Sequence, residues 1–395
     1  MMISQRQLFL NHVAQTSDFP LLLEIERAEG IYMFGTNGEK YTDLISGVSV
    51  SNIGHRHPSV VRAVKDQLDK YMHLMVYGEY IQSPQVNLAE LLANHLPDNL
   101  SNTYLVNSGS EAIEGALKLA KRYTGRSEVI AFKNAYHGST HGALSVLGNE
   151  DFKNSFRPLV PGVKFLNFNN FDELEEINEK TACVLIEPVQ GEGGIILPES
   201  GYLQQLRERC TETGALLVFD EIQTGFGRIG SLFAFQQFNV VPDILTIAKA
   251  MGGGMPIGAF VSSKEIMSVF KTNPILGHIT TFGGHPVSAA AAFASLKTLI
   301  DEKIVEDVFY KENIFRRYLK HPEIKELRGR GLFLAVELEN EDKVQNFIKE
   351  LLKLGVIVDW FLFKSRAFRI APPLIITEDE IREVCVKINN ALDLI

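Results

Sequence analysis

Through the middle of the chain, short runs of consecutive apolar residues alternate with stretches of helical spacing. TYLV (103–106), EVIAF, VKFLNF, ACVLIEPV, ALLVFDE and DILTIAK are each bounded by polar turns. Strands that do not alternate apolar with polar are buried on both faces, which predicts an α/β fold with a mostly parallel central sheet and helices on either side. After the first run, EAIEGALKLAKRYTG predicts a helix from about Ser110. Its Ile113, Ala116, Leu117 and Ala120 share one face, and Gly125 suits its C-terminal stop. From about Glu302 the pattern changes to helix, GLFLAVELE, a helix through VQNFIKELLKLG, then AFRIAPPL and a terminal amphipathic helix, which predicts a smaller α+β domain. The opening GIYMFGTNGEKYTDL has hairpin character around Asn37-Gly38 and is expected to join that smaller domain. The expected organisation is therefore an N-terminal segment 1–55 attached to the small domain, a large domain over 56–300 and the rest of the small domain over 301–395.

Composition narrows the class. With 39 Lys and Arg against 48 Asp and Glu, the 395-residue chain carries a formal charge of −9, which argues against a nucleic-acid partner. Hydrophobic residues at 45 % and charged residues at 22 % are those of a folded globular protein. Cys183, Cys210 and Cys385 are an odd number at unrelated spacings, so neither a disulfide framework nor a Cys-rich zinc site is expected, and a reducing compartment is. The N-terminus lacks the basic, apolar and small-residue succession of a signal peptide, and no apolar run approaches the ~18 residues of a membrane span. The expectation is a cytoplasmic enzyme without a membrane partner.

Candidate chemistry gathers at strand ends, where open parallel sheets place their ligands. ALLVFDE ends near Asp220, and 29 residues later DILTIAK ends on Lys249, followed by Ala-Met-Gly-Gly-Gly. A poorly solvated lysine has a lowered pKa and a more nucleophilic amine, able to form a Schiff base with an aldehyde. A buried aspartate can hold a pyridine nitrogen protonated, so that the ring withdraws electrons. A surface lysine and a turn-capping aspartate are the plainer readings of each residue alone. Ser108-Gly109-Ser110 between a strand and a helix suits a phosphate, although Ser108 as N-cap with Glu111 in the first turn describes the same string. No dinucleotide or P-loop glycine pattern occurs. Gln190-Gly191-Glu192-Gly193-Gly194 is expected to bring backbone close to the site with Glu192 facing inward. His137 and His141 are four apart, but the glycines between and after them predict a loop, with no third ligand, so no metal site is expected. Tyr136 could stack on a planar ring or belong to the core.

Taken together, these strings resemble the class III, or ω-amino-acid, pyridoxal-phosphate aminotransferases of fold type I, and within them the ornithine and acetylornithine enzymes. The resemblance runs from GIYMFGTNGEKYTDLISGVSVSNIGHRHP to FRIAPPLIITEDEI. It implies pyridoxal 5'-phosphate as cofactor, with Lys249 and Asp220 catalytic, Lys249 carrying the cofactor and Asp220 pairing with its pyridine nitrogen. Gln223 would reach the ring hydroxyl, Tyr136 would stack on the ring, Ser108, Gly109 and Ser110 would hold the phosphate, and His137 and Glu187 would also contact the cofactor. Thr281 would serve the phosphate of a partner subunit, with Thr280 beside it, which implies a homodimer with shared active sites and leaves tetramers open. Glu192 would pair with Arg369, which binds the carboxylate of 2-oxoglutarate. Ser139 stands where the family often has a carboxylate-binding arginine, and a hydroxyl cannot make that bidentate pair. The implied activity moves the terminal amino group of an ω-amino acid or related amine to 2-oxoglutarate. An aminomutase or decarboxylase on the same fold, an ω-amine:pyruvate or diamine transaminase, and more remotely a nucleotide-dependent oxidoreductase are the alternatives.

Overall fold

The computed structural model describes residues 4–395; the first three residues of the segment 1–55 lie outside the described residues. A seven-stranded sheet forms the centre. Its spatial order is Asn102–Val106, Gly258–Ser262, Ile244–Ile247, Leu216–Asp220, Thr181–Ile186, Glu128–Phe132 and Val163–Leu166. Six strands run the same way, and Gly258–Ser262 alone is antiparallel to both its neighbours. Thr181–Ile186, Leu216–Asp220, Ile244–Ile247 and Gly258–Ser262 are buried throughout, as unbroken apolar runs require. The parallel expectation thus holds with one exception, a strand that the glycine-rich string before it disguised as loop.

The helix Gly109–Thr124 lies on this sheet through Ala112, Ile113, Ala116 and Ala120. Ser108 caps it by accepting from Glu111 N at 3.2 Å, and Gly125 stops it in the left-handed region at φ 69°. A second, antiparallel sheet has the order Glu326–Arg330, Phe333–Glu337, Lys364–Ile370 and Asp359–Phe361, with the helices Glu341–Lys353 and Glu378–Leu392 nearby. The hairpin at Asn37-Gly38 joins Tyr32–Gly35 to Lys40–Asp43, and the latter pairs in parallel with Val356–Ile357 from the C-terminal region. Arg228, wholly buried, ties these parts together. Its Nη1 donates to the carbonyls of Leu332 (2.8 Å) and Pro372 (2.6 Å), and its Nη2 to Ser46 Oγ (3.2 Å). Among the described residues no helix is long and apolar enough to cross a membrane, and no cluster of His, Cys, Asp and Glu has metal-ligand geometry.

Candidate active site

Six parallel strands place six carboxyl ends on one edge of the sheet, and the loops that leave them enclose a cavity of about 450 Å³. Nine residues singled out in the sequence line it: Ser108, Gly109, Ser110, Tyr136, His137, Glu187, Asp220, Gln223 and Lys249. Val50, Asn107 and Ile222 line it as well, without a sequence signal of their own. Val50 follows Ser46–Ser49, four residues all in the left-handed region, a strained turn held by Asp43 Oδ1, which accepts from Ile45 N and Ser46 N at 2.8 and 2.9 Å.

Asp220 ends its strand with both carboxylate oxygens fixed. Oδ2 lies 2.7 Å from His137 Nδ1, and Oδ1 accepts from Ile222 N at 3.0 Å. Lys249 sits two residues past the strand Ile244–Ile247, at φ 49° in a tight turn. Part of its surface opens to the cavity, but the surrounding protein displaces solvent and lowers the ammonium's pKa, against the pull of Glu192. Glu187 accepts from Gly191 N (3.1 Å) and Tyr136 N (3.3 Å); burial, with Asp220 nearby, holds its carboxyl well above the usual range. His137 Nε2 and Gln223 Nε2 are buried in the cavity lining without protein partners.

The cavity suits a flat, phosphorylated ring. Its orphaned nitrogens call for partners on a polar ligand, and the N-terminal turn of Gly109–Thr124 offers N–H groups to a phosphate. The walls are cut close for it. A Cβ on Gly258 would stand 2.5 Å from the carbonyl oxygen of Ser108, and Gly138, at φ 129°, would bring one within 2.2 Å of Ser110 Oγ.

The remaining predicted residues lie outside this cavity lining. Arg369, only 1 % exposed, donates from Nη2 to Glu192 Oε1 and Oε2 at 2.8 and 2.9 Å. Asp359 faces it from the neighbouring strand, with Oδ1 3.4 Å from Arg369 Nε. Burial, partly countered by Arg369, pushes the Asp359 carboxyl up to about 6. Asp359 was not foreseen, because only the hairpin register sets it opposite Arg369. Ser139 Oγ is 3.1 Å from Tyr136 Oη. Thr280 Oγ1 accepts from Asn107 Nδ2 at 2.9 Å, while Thr281 is exposed and away from the cavity lining of its own chain.

Comparison with known proteins decides what this arrangement belongs to. Residues 13–392 match the family Aminotransferase class-III. The chain is a class III aminotransferase. It is 38 % identical over 384 residues to the acetylornithine aminotransferase of Methanopyrus kandleri, covering 96 % of each chain. Among solved structures it resembles the ornithine aminotransferase of Toxoplasma gondii ME49 (31 % identity, TM-score 0.91, 100 % of this chain and 96 % of that one). A thermostable (S)-enantioselective omega-transaminase from Thermomicrobium roseum is similar at 28 % identity and TM-score 0.92, over 98 % and 97 % of the two chains. A member of this family is a transaminase that depends on pyridoxal phosphate, the flat phosphorylated ring that the cavity fits.

Proposed function

We propose that this class III aminotransferase moves the amino group of a terminal-amine donor, ornithine- or acetylornithine-like, to 2-oxoglutarate and releases glutamate. The observation that carries this reading is the buried Glu192–Arg369 pair beside a cavity that holds both Lys249 and Asp220. A guanidinium masked by a carboxylate can offer two N–H groups to a dicarboxylate acceptor and be neutralised when an uncharged amine enters.

Bound pyridoxal phosphate supplies the electron sink that acidifies the donor's C–H bond. In our reading the protein does the rest. Lys249 Nζ would hold the cofactor and serve as the base that moves the donor's proton, burial having lowered its pKa so that the amine is free to do so. Asp220, oriented by His137 and by Ile222 N, would meet the ring nitrogen. Gln223 Nε2, which has no protein partner, would meet the ring oxygen, Tyr136 and Glu187 would border the ring, and Ser108, Gly109 and Ser110 would hold the phosphate. Glu192 yields Arg369 to 2-oxoglutarate.

We further propose a homodimer. Met72, Met75, Tyr80, Ile81, Ile275, Ile279 and Phe282 are exposed on one chain, and the rings of His73 and Phe282, 4.8 Å apart, join the two segments. Such a surface needs a partner, and Thr281 within it would reach that partner's phosphate site. Three free, buried cysteines suit a cytoplasmic location. The test is glutamate formation from 2-oxoglutarate with ornithine, acetylornithine, 4-aminobutyrate and simple diamines. Activity with a δ- or ε-amine is expected; activity with α-amines alone would overturn the reading, and conversion of donor without glutamate would point to the mutase or decarboxylase alternative.

A further inference from the structure

A second cavity, of about 540 Å³, shares no lining residue with the one that holds Lys249. Its walls come from three parts of the chain: Glu29 and Gly30 at the end of the strand Ile25–Glu29, the start of the helix Pro58–Leu68, and Ile375. They are pinned together. Gly30 N donates to the His55 carbonyl at 3.1 Å and His55 N to the Gly30 carbonyl at 2.7 Å, while a Cβ on Gly54 would stand 2.4 Å from Ile375 Cδ1.

The lining is basic. Arg62 and Lys65 are three apart and so share one side of their helix, and Arg56 precedes it at φ 55°. Among the described residues, none of these three cations has a carboxylate within ion-pair distance, whereas the lining acid, Glu29, has Arg27 at 3.5 Å. Three uncompensated cations around one cavity concentrate positive potential in a chain whose formal charge is −9. Between them Ile53, Val61 and Ile375 supply an apolar surface. Two guanidinium forks and an ammonium match the charge and oxygen geometry of a diphosphate, and the apolar surface suits an organic body. The volume falls in the range of about 300–1,000 Å³ typical of small-molecule sites.

His55 joins this cavity to the first. Its Nε2 lies 2.7 Å from Oδ2 of the buried Asp43, whose Oδ1 holds the left-handed turn Ser46–Ser49. Val50, the next residue, lines the Lys249 cavity, while Ile53, His55, Arg56 and His57 line the second. One segment of eight residues, 50–57, thus has an end in each. We infer that the second cavity is a ligand site for an organic diphosphate of nucleotide size, and that a ligand bound there acts on the Lys249 cavity through His55 and Asp43.

ADP is the probe, titrated calorimetrically into the holoenzyme in phosphate-free buffer. It should bind with a Kd below about 1 mM, more weakly as salt is added, and adenosine should give no measurable heat. Arg62→Ala and Lys65→Ala, both at exposed helix positions, should each weaken ADP about tenfold and leave glutamate formation without ADP unchanged. With acetylornithine and 2-oxoglutarate, ADP should alter the rate with a half-effect at its Kd, and Arg62→Ala should shift both values together. No binding of ADP, equal binding by the two variants, or loss of the cofactor's visible absorption on adding ADP would overturn the second site. A rate that saturating ADP leaves unchanged would overturn its action on the first cavity. Absence of glutamate with every donor would overturn the proposed function instead, and the calorimetry would stand on its own.

Discussion

Replacing Glu192 by glutamine keeps the side chain's shape but removes its charge and turns one acceptor oxygen into an N–H donor, so it weakens the pairing with Arg369. The carboxylate takes contacts of 2.8 and 2.9 Å from Arg369 Nη2 and one of 3.1 Å from Leu362 N, with Glu192 and Arg369 only 5 % and 1 % exposed. A charge-assisted hydrogen bond contributes about 1.5–3 kcal/mol and a neutral one about 0.5–1.5, so the glutamine should hold the arginine about 1–1.5 kcal/mol less tightly. Breaking a buried ion pair outright costs about 3–5 kcal/mol, but here Asp359 remains 3.4 Å from Arg369 Nε as a second counter-ion, so the fold should survive. In the proposed reading 2-oxoglutarate displaces residue 192, so a weaker mask should lower its KM roughly tenfold. An uncarboxylated amine meets a less neutralised arginine, and its KM should rise. Steady-state glutamate formation, with each substrate varied in turn, reads both constants. An unchanged or higher KM for 2-oxoglutarate, or both constants moving the same way, would refute the argument that Glu192 competes with the acceptor.

Three further outcomes follow from the same geometry. Lys249→Ala should abolish turnover together with the borohydride-sensitive visible absorption expected of the wild-type holoenzyme; a variant that keeps full activity would remove Lys249 from its assigned role. Gly258→Ala should destabilise by about 1–3 kcal/mol, because its Cβ would stand 2.5 Å from the carbonyl of Ser108. It should also reduce the rise in melting temperature that pyridoxal phosphate produces, and an equal rise in both proteins would separate that strand from the phosphate site. Asp359 gives stability a pH dependence, since burial lifts its carboxyl from 3.8 to about 6. Between those values the folded chain keeps a proton that the unfolded chain has lost, so the group's contribution is complete below the lower value and is lost as pH rises through the higher. Urea melts at pH 4, 5 and 7 should therefore show Asp359→Asn gaining on wild type with rising pH, by up to roughly 3 kcal/mol; a constant difference would contradict the sign.

How much of this was legible in the chain depends on the distance over which each feature is decided. The six apolar runs became strands, and in the inner ones burial on both faces is written into consecutive residues, as in LLVFD and TACVLI. The helix from Gly109 was equally local, with its cap at Ser108 and its stop at Gly125. The strand Gly258–Ser262 was not anticipated, since GAFVS is short and follows MGGGMP, which reads as loop. What makes it a strand is its pairing with Asn102–Val106 and Ile244–Ile247, one of them some 150 residues away. The left-handed turn over Ser46–Ser49 is likewise imposed from outside, by Asp43 and by Arg228.

The same reasoning sorts the site. In a parallel sheet every strand delivers its last residue to one edge, so Ser108, Tyr136, Glu187, Asp220 and Lys249 need only lie within a few positions of a strand end to meet around one cavity. Their convergence follows from topology, and topology follows from the apolar runs. Glu192 and Arg369 obey no such rule. They meet because a second sheet, with its own register, sets Arg369 opposite Asp359 and hooks Leu362 and Phe363 onto the Glu192 loop. A one-residue slip of the hairpin Asp359–Ile370 would turn Arg369 to the other face, and the irregularity between Trp360 and Phe361 fixes which face it takes. Residues that line the cavity can thus be read from strand ends alone, whereas the Glu192–Arg369 pair proposed to meet the acceptor depends on a hairpin register.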